Sequence, residues 1–267
     1  MGADIKSLRT RIKSVDSTLH LTKAMGLVAS SKMRRANEGM NRGRQYAQAV
    51  TRAVSLLTAC TECRRSPYMQ VRDEGRTRLI VIAGDRGLAG GYNANVFRTV
   101  RDLPHDSVLP IGKRACDRYG GLANSSENFT YAEAHGMAQA LCDAFVAGEY
   151  DRLGIVSTRY VSMLLQEPFV QWVLPLSPVE NEQGAGVVFE PNETQLLNTA
   201  VPTYVAGILM AAVRESFACE VAARRTAMDS AGKNAQQMID DLQLEYNRAR
   251  QGAITQEITE IVAGSGS

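Results

Sequence analysis

A long heptad pattern of apolar positions opens the chain. Stepping alternately by three and four residues from Ile5 to Leu57 reaches sixteen positions, of which thirteen are hydrophobic. The register never slips, and no proline occurs before Pro67. A repeat of 3.5 residues held over this length is typical of a left-handed coiled-coil seam and predicts one unbroken helix from about residue 4 to 58. The seam positions are Ile5, Leu8, Ile12, Val15, Leu19, Thr22, Gly26, Ala29, Met33, Ala36, Met40, Gly43, Ala47, Val50, Val54 and Leu57.

A second helical pattern occupies the end of the sequence. No proline follows Pro202, and apolar residues recur there at spacings of three, four or seven. We predict a second long helix from about residue 203 to 262, with a local stutter between Leu242 and Tyr246, where the step is four and three was due. If the two seams pair, chain connectivity makes them antiparallel. The predicted seam positions are Phe217, Val221, Met228, Ala231, Ala235, Met238, Leu242, Tyr246, Ala249 and Ala253.

Short apolar runs alternate with helical segments between the two long helices. The alternation and its short connections predict a small open α/β (Rossmann-like) sheet between the arms of an antiparallel left-handed coiled coil. The predicted domains are 1–60, 61–200 and 201–267. Predicted strands lie at 77–83, 108–111, 153–157 and 169–174, helices at 93–102, 113–119 and 131–148, and turns at 184–186 and 190–191.

Charge is concentrated at the start of the chain. The whole sequence has a formal net charge of +2, but residues 1–60 contain eleven Lys and Arg against three Asp and Glu, a net charge of +8. Such a basic first quarter suggests an acidic partner: nucleic acid, a membrane surface or an acidic protein loop. Nucleic acid is disfavoured because the charges surround the helix and aromatic residues are nearly absent from it. The longest apolar stretch, near 205–213, is shorter than the ~20 residues that span a bilayer.

Apolar residues also lie off the first seam. Leu21, Leu27 and Val28 occupy outer positions, and Met25 flanks the seam beside basic residues. Scattered surface leucines are the simpler interpretation, but a polar exterior is expected of a free two-stranded coiled coil, so these positions predict a second contact surface. The small residues in the middle of the seam predict close helix approach and a thin rod.

The sequence offers little chemistry of its own. The glycine cluster at 84–93 follows a strand, but it lacks the spacing of a dinucleotide or P-loop motif, so close backbone packing or a partner contact is favoured over nucleotide binding. Cys60 and Cys63 form a lone C-x-x-C without further ligands for zinc. No catalytic motif is recognisable, and we expect no catalytic residue, cofactor or metal site. An odd number of cysteines and no apolar signal segment predict a reducing, cytoplasmic location.

Three segments together resemble the gamma subunit of F-type ATP synthases. They are the N-terminal run IKSLRTRIKSV with TKAMGLVA, the central GDRGLAGGYN, and the C-terminal NRARQGAITQEITEIVAG. The resemblance covers both ends and the middle of the chain in the same order, and its C-terminal stretch is the most specific. The chain departs from the family pattern in being somewhat short and in ending Gly-Ser-Gly-Ser, where relatives usually have alanines.

The resemblance implies a rotary shaft without catalysis of its own. It implies one copy per complex, surrounded by alpha and beta subunits, with the epsilon subunit and the membrane c-ring at the α/β domain, on the cytoplasmic side of a bacterial plasma membrane. A non-rotary coiled-coil scaffold or tether is the alternative. The residues implied to contact the beta subunit and the surrounding sleeve are Thr22, Lys23, Met25, Lys32, Arg35, Gln251, Thr255 and Glu257. Those implied on the epsilon and ring side are Gly84, Asp85, Arg86, Gly87, Gly90, Gly91, Tyr92 and Asn93.

Overall fold

Two long helices and a four-stranded sheet make up the structure, a computed structural model that describes residues 2–72, 75–121, 124–178, 190 and 192–265. The turn predicted at 184–186 and Pro191 lie outside the described residues. The helices are α1 (Gly2–Thr58), α2 (Tyr92–Arg101), α3 (Lys113–Tyr119), α4 (Tyr131–Val146) and α5 (Glu193–Ser265). The strands are β1 (Thr77–Ile82), β2 (Ser107–Ile111), β3 (Arg152–Tyr160) and β4 (Gln166–Leu174), and short 3-10 turns cover Thr61–Arg65 and Pro67–Met69.

Helix α1 confirms the first predicted helix. It runs unbroken through the whole heptad pattern, and each of the sixteen predicted seam positions is buried or half-buried. Most of the positions between them are exposed. A burial period of 3.5 residues therefore holds from Ile5 to Leu57, as the apolar pattern requires.

Helix α5 begins ten residues before its predicted start at 203. Pro202 lies inside it, although an interior proline costs a helix about 3 kcal/mol because it removes a backbone donor and crowds the preceding turn. Leu197, Val201 and Val205 are fully buried around that position, and each stabilises the fold by about 2 kcal/mol through burial. This packing outweighs the penalty, so the sequence rule that placed the helix start after the proline is wrong here.

Contacts divide the chain into two compact units, Met1–Ser30 with Arg224–Ser267, and Ser31–Ala223. In the first unit α1 and α5 pair antiparallel. A Cβ atom on Gly26 would lie 3.7 Å from the Cβ of Met228, and one on Gly232 would lie 3.6 Å from Oγ1 of Thr22. Small residues thus bring the two helices close together, as the seam composition predicts.

The second seam passes through Ile239 and not through the predicted Met238. Ile239 is 6% exposed and packs with Leu19 and Ala235, whereas Met238 is 44% exposed. From Met228 the seam then continues through Gly232, Ala235, Ile239, Leu242, Tyr246, Ala249 and Ala253, each of which is buried or half-buried. These positions alternate steps of four and three without interruption, so the stutter predicted between Leu242 and Tyr246 does not occur.

The second unit contains the sheet, in the order β2-β1-β3-β4. Strands β1, β2 and β3 are parallel, and β4 pairs antiparallel with β3 as an edge strand. Alternate residues of β1 enter different cores: Ile80 and Ile82 pack in the main core with α4 and α5, and Leu79 and Val81 pack with Val96 of α2. This sheet with helices on both faces confirms the predicted α/β class.

Helix α5 is apolar enough in places to resemble a membrane span. An 18-residue window in it reaches a mean hydropathy of 1.6, but 67% of that window is buried within the protein. Burial of this kind is typical of a core helix in a globular domain.

Candidate partner interface

The exposed apolar residues of α1 form a surface outside the helix pairing. Leu21, Leu27 and Val28 are 59%, 73% and 54% exposed, and Lys23 is exposed among them. Met25 is half-buried at the edge of the seam. The structure therefore leaves these apolar side chains exposed on α1, which a pair of helices stable on its own would not need. We call these five residues the α1 outer face.

Thr22, predicted as a contact residue, belongs to the seam. Its side chain is 7% exposed, and its hydroxyl donates to the Leu19 carbonyl at 2.9 Å. It faces Gly232 of α5. Thr22 has little surface to offer a partner, and its observed role is to fill a narrow point of the helix pair.

Two further basic residues predicted as contacts differ in their surroundings. Lys32 is half-buried and forms an ion pair with Glu127, so the chain itself already neutralises this ammonium group. Arg35 is exposed and lines a cavity with Arg42 and Arg214. Of the two, Arg35 keeps the greater freedom to meet an external acidic group.

The C-terminal end of α5 presents a second exposed apolar surface. Residues of the two helices lie opposite each other where their numbers add to about 254, so positions after about 252 have no counterpart among the described residues of α1. Gln251, Thr255 and Glu257, predicted as contacts, are all exposed here.

The sequence interpretation missed the apolar members of this C-terminal surface. They are Ile254, Ile258, Ile261 and Val262, from 47% to 68% exposed. Their spacing of four and three puts them on one side of the helix, and this periodicity was the signal that could have found them. We call these four residues the α5 tip face.

The loop at 84–93 packs against helix α5. A Cβ on Gly84 would lie 2.6 Å from Cδ of Glu220, which is itself 2% exposed. Tyr92 is 5% exposed and donates its hydroxyl to the Ser216 carbonyl at 3.0 Å. The side-chain oxygen of Asn93 accepts from the Gly84 amide at 2.9 Å. These residues hold the loop against α5 and explain the glycine through close packing.

Asp85 organises the same loop. Its carboxylate accepts hydrogen bonds from the Ser125 hydroxyl at 2.7 Å and from the backbone amides of Lys113, Ser126 and Glu127 at 3.0 to 3.1 Å. Burial raises the pKa of Asp85, but these bonds favour its charged form and the net shift of the pKa is downward. The side chain therefore has a structural role in this unit.

Most of the remaining loop is exposed, although Ala89 is buried. Arg86, Gly90 and Gly91 are exposed, Gly87 is half-buried, and Leu88 is 64% exposed with a backbone φ of 59°. The structure therefore separates the predicted epsilon and ring contacts into an inner group that packs on the protein and an outer, more exposed group.

Candidate metal-ligating and thiol side chains were compared in the part of the chain that the structure describes. No group of three His, Cys, Asp or Glu side chains there is placed to hold a metal ion. Cys63 is buried, and burial raises its pKa to about 11, which disfavours the reactive thiolate.

Comparisons with known proteins agree on one family. A family model described as ATP synthase matches residues 4–267. The ATP synthase gamma chain of Desulforamulus reducens is 37% identical over 280 residues, covering 99% of each chain, and that of Acinetobacter baylyi is 38% identical over 293 residues, again covering 99% of each.

Solved structures share the fold at lower identity. A chain from the Euglena gracilis mitochondrial ATP synthase OSCP/F1/c-ring structure, in rotational state 3, has a TM-score of 0.69 and 18% identity, with 98% of this chain and 94% of that chain covered. A chain from the rotor of the same enzyme has a TM-score of 0.66 and 17% identity, with 95% and 100% covered. The relatives and the matching architecture confirm the resemblance drawn from the three sequence segments, and the chain belongs to the ATP synthase gamma chain family.

Proposed function

We propose that a defined set of exposed residues lets this chain act as the central shaft of an F-type ATP synthase. The shaft couples ion translocation in the membrane sector to ATP synthesis and hydrolysis. In this proposal the chain is non-catalytic. It is present once per complex, and its partners are the alpha, beta and epsilon subunits and the c-ring. The complex is peripheral, on the cytoplasmic side of a bacterial plasma membrane. The observation that carries the proposal is the α1 outer face, which is apolar, basic and left uncovered by the helix pairing.

The α1 outer face can supply energy of the size that a conformational switch requires. Burying Leu21, Leu27 and Val28 against one partner subunit would contribute on the order of 1 to 2 kcal/mol each, given their exposed fractions. Moving a two-state equilibrium from one state almost completely to the other takes about 5.5 kcal/mol of differential binding. Contact with one beta subunit at a time therefore gives each angular position a different favoured conformer.

Charge supplies the directional part of the same contact. Lys23 is exposed beside these apolar residues, so an acidic loop on a beta subunit is the complementary surface. The coupling contact is thus assigned to Lys23, Met25 and the three exposed apolar residues. Thr22 contributes by keeping the helix pair narrow at this level, and Lys32 acts through its ion pair with Glu127.

The α5 tip face and the outer part of the 84–93 loop are assigned to different partners. The tip face, with Gln251, Thr255 and Glu257, would turn inside the upper part of the alpha and beta sleeve. An apolar helix surface there would oppose rotation little. Arg86, Gly87, Gly90 and Gly91 would contact epsilon and the ring. Tyr92 and Asn93 would support that contact indirectly, because their side chains already form hydrogen bonds within the chain.

The test is a charge placed in the coupling contact. In the assembled, membrane-bound complex, Met25→Lys is expected to reduce ATP-driven ion pumping severalfold while ATP hydrolysis stays within about twofold, since a cation added at the edge of the seam changes the contact with the acidic loop. Leu27→Lys, at a position 73% exposed, carries the same expectation without disturbing the half-buried Met25 site.

Val71→Lys is the matched control, because it adds the same charge at a residue that is 80% exposed outside the proposed contacts. Pumping and hydrolysis should both be unchanged in this variant. Equal loss of pumping and hydrolysis in both coupling variants would contradict the assignment. A chain that purifies as a free dimer, without alpha and beta subunits, would favour the tether.

A further inference from the structure

A cavity in the second unit gathers positive charge that no described carboxylate in its walls offsets. It has a volume of about 620 Å³, within the range of small-molecule sites. It lies between the 35–46 segment of α1, the 207–214 segment of α5 and the first residue of α4. Three of its lining residues are arginines, Arg35, Arg42 and Arg214, and none is acidic.

The cavity exists because small residues line the helices at this level. A Cβ on Gly43 would lie 3.2 Å from the Cα of Ala211, and one on Gly39 would lie 3.8 Å from Cδ of Arg214. A larger side chain at Gly39 would enter the space, whereas one at Gly43 would meet the backbone of Ala211. The opposite wall is formed by Tyr46 and Tyr131, whose rings meet edge to face with hydroxyl oxygens 3.3 Å apart.

Arg214 is fixed in place as part of the wall. Its guanidinium donates to the Phe129 carbonyl at 3.1 Å and to the Glu127 carbonyl at 3.5 Å. Burial lowers the pKa of Arg214, and the positive charge of Arg42 lowers it further. Neutral carbonyls orient this cation without cancelling its charge, so a bound anion would relieve both effects.

Arg35 and Arg42 leave their donors free. Neither has a hydrogen bond or ion pair with another residue in the described ranges. Lys32 and Arg34 border an adjoining cavity of about 390 Å³, together with Glu38 and Glu127. Of those two carboxylates, Glu127 is already paired with Lys32. Arg35 and Arg214 line this adjoining cavity as well, so Glu38 is a carboxylate near the arginines. The cations that line the two cavities still outnumber their carboxylates.

We propose that this cavity binds a soluble phosphorylated small molecule, with Arg35, Arg42 and Arg214 holding its phosphate oxygens and the tyrosine wall facing the rest of it. Three guanidinium forks match the several oxygens and multiple charge of a phosphate or diphosphate better than the single charge of one carboxylate. Met210 and the tyrosine rings supply the apolar wall that an organic portion would contact. Arg35 is shared with the implied sleeve contacts, but none of the cavity's walls belongs to the α1 outer face or the α5 tip face.

The test is binding of pyrophosphate and of ADP to the purified full chain, measured by calorimetry at constant ionic strength. Arg42→Gln should weaken pyrophosphate binding at least about tenfold, the loss expected for one charge-assisted bidentate contact. Arg42 is exposed and makes no internal bond, so this variant should keep the wild-type circular dichroism spectrum. Gly39→Leu, whose Cβ would lie at an ordinary contact distance of 3.8 Å from Cδ of Arg214, adds bulk to the cavity without changing charge and should abolish binding.

Arg52→Gln is the matched control, since Arg52 is an exposed arginine on the same helix that lines a different cavity. It should bind pyrophosphate as the wild type does. Three results would overturn the proposal: no pyrophosphate or ADP binding by the wild type, equal losses in Arg42→Gln and Arg52→Gln, or binding only to vesicles that contain anionic phospholipid. Preferential binding of an oligoglutamate peptide, lost in Arg42→Gln, would reassign the site to an acidic protein segment and would equally overturn it.

Discussion

The position of the α5 seam gives the sharpest test of the helix pairing. Ile239→Ala removes three carbon atoms from a side chain that is 6% exposed and packs with Leu19 and Ala235. At about 0.8 kcal/mol per buried methylene the lost transfer energy is about 2.4 kcal/mol, and the incompletely filled space raises the expected cost to about 2.5 to 4 kcal/mol. Met238→Ala, one residue earlier, should cost less than about 1 kcal/mol because Met238 is 44% exposed.

Urea unfolding of the full chain, followed by circular dichroism at 222 nm, measures the difference. With a denaturant slope of about 2 kcal/mol per molar, Ile239→Ala should lower the midpoint of the helix-pair transition by roughly 1 to 2 M, and Met238→Ala by less than about 0.5 M. Hydrogen exchange of the amides near Val15 and Leu19 locates the effect, since these residues pack against Ile239 or its neighbours. A cost for Met238→Ala equal to or above that of Ile239→Ala would refute the reasoning and restore the stutter.

Two further predictions concern the 84–93 loop. Gly84→Ala should destabilise the chain by about 1 to 3 kcal/mol in thermal or urea unfolding, because the new methyl group would lie 2.6 Å from Cδ of the buried Glu220; an unchanged melting temperature would contradict the close packing. Asp85→Asn should cost about 1.5 to 3 kcal/mol at pH 7, since an amide nitrogen would replace an oxygen that accepts from Ser125 or Glu127. The pKa of Asp85 is lowered in the folded chain, so its contribution to stability is complete above the unfolded pKa of about 3.9 and is lost as the pH falls through the folded pKa. Wild type and Asp85→Asn should therefore converge in stability on acidification below about pH 4. A constant difference down to pH 2 would contradict this.

Local pattern was sufficient to predict which elements this protein contains, though not all of their bounds or seam positions. A seam that repeats every 3.5 residues can be satisfied only by a helix with a partner along its length, so the sixteen α1 positions predicted their own burial. The alternation of short apolar runs and helical segments likewise predicted the sheet domain, and the boundaries of α3 agreed at both ends. The off-seam residues Leu21, Leu27 and Val28 were identified as exposed for the same reason, since their angular position on the helix is fixed by sequence.

Local pattern did not predict features that depend on contacts between residues distant in sequence. Pro202 resembled a helix boundary because its backbone penalty is local, whereas the burial of Leu197, Val201 and Val205 that offsets it is tertiary. The same limit applies to the predicted contact residues. Lys32 has the sequence environment of a free basic contact, and only the fold brings Glu127, 95 residues later, to its ammonium group.

The amino-acid sequence by itself determined the two long helices, the α/β class and the family, because these rest on periodicity and on motifs that each segment carries alone. The tertiary structure decided between Ile239 and Met238, turned Tyr92 and Asp85 inward, and gathered Arg35, Arg42 and Arg214 around one cavity. Adjacent residues on a helix differ by about 100° in direction, and only packing against α1 selects which of them is buried. Likewise, charged residues on separated segments form a common site only when folding brings the segments together.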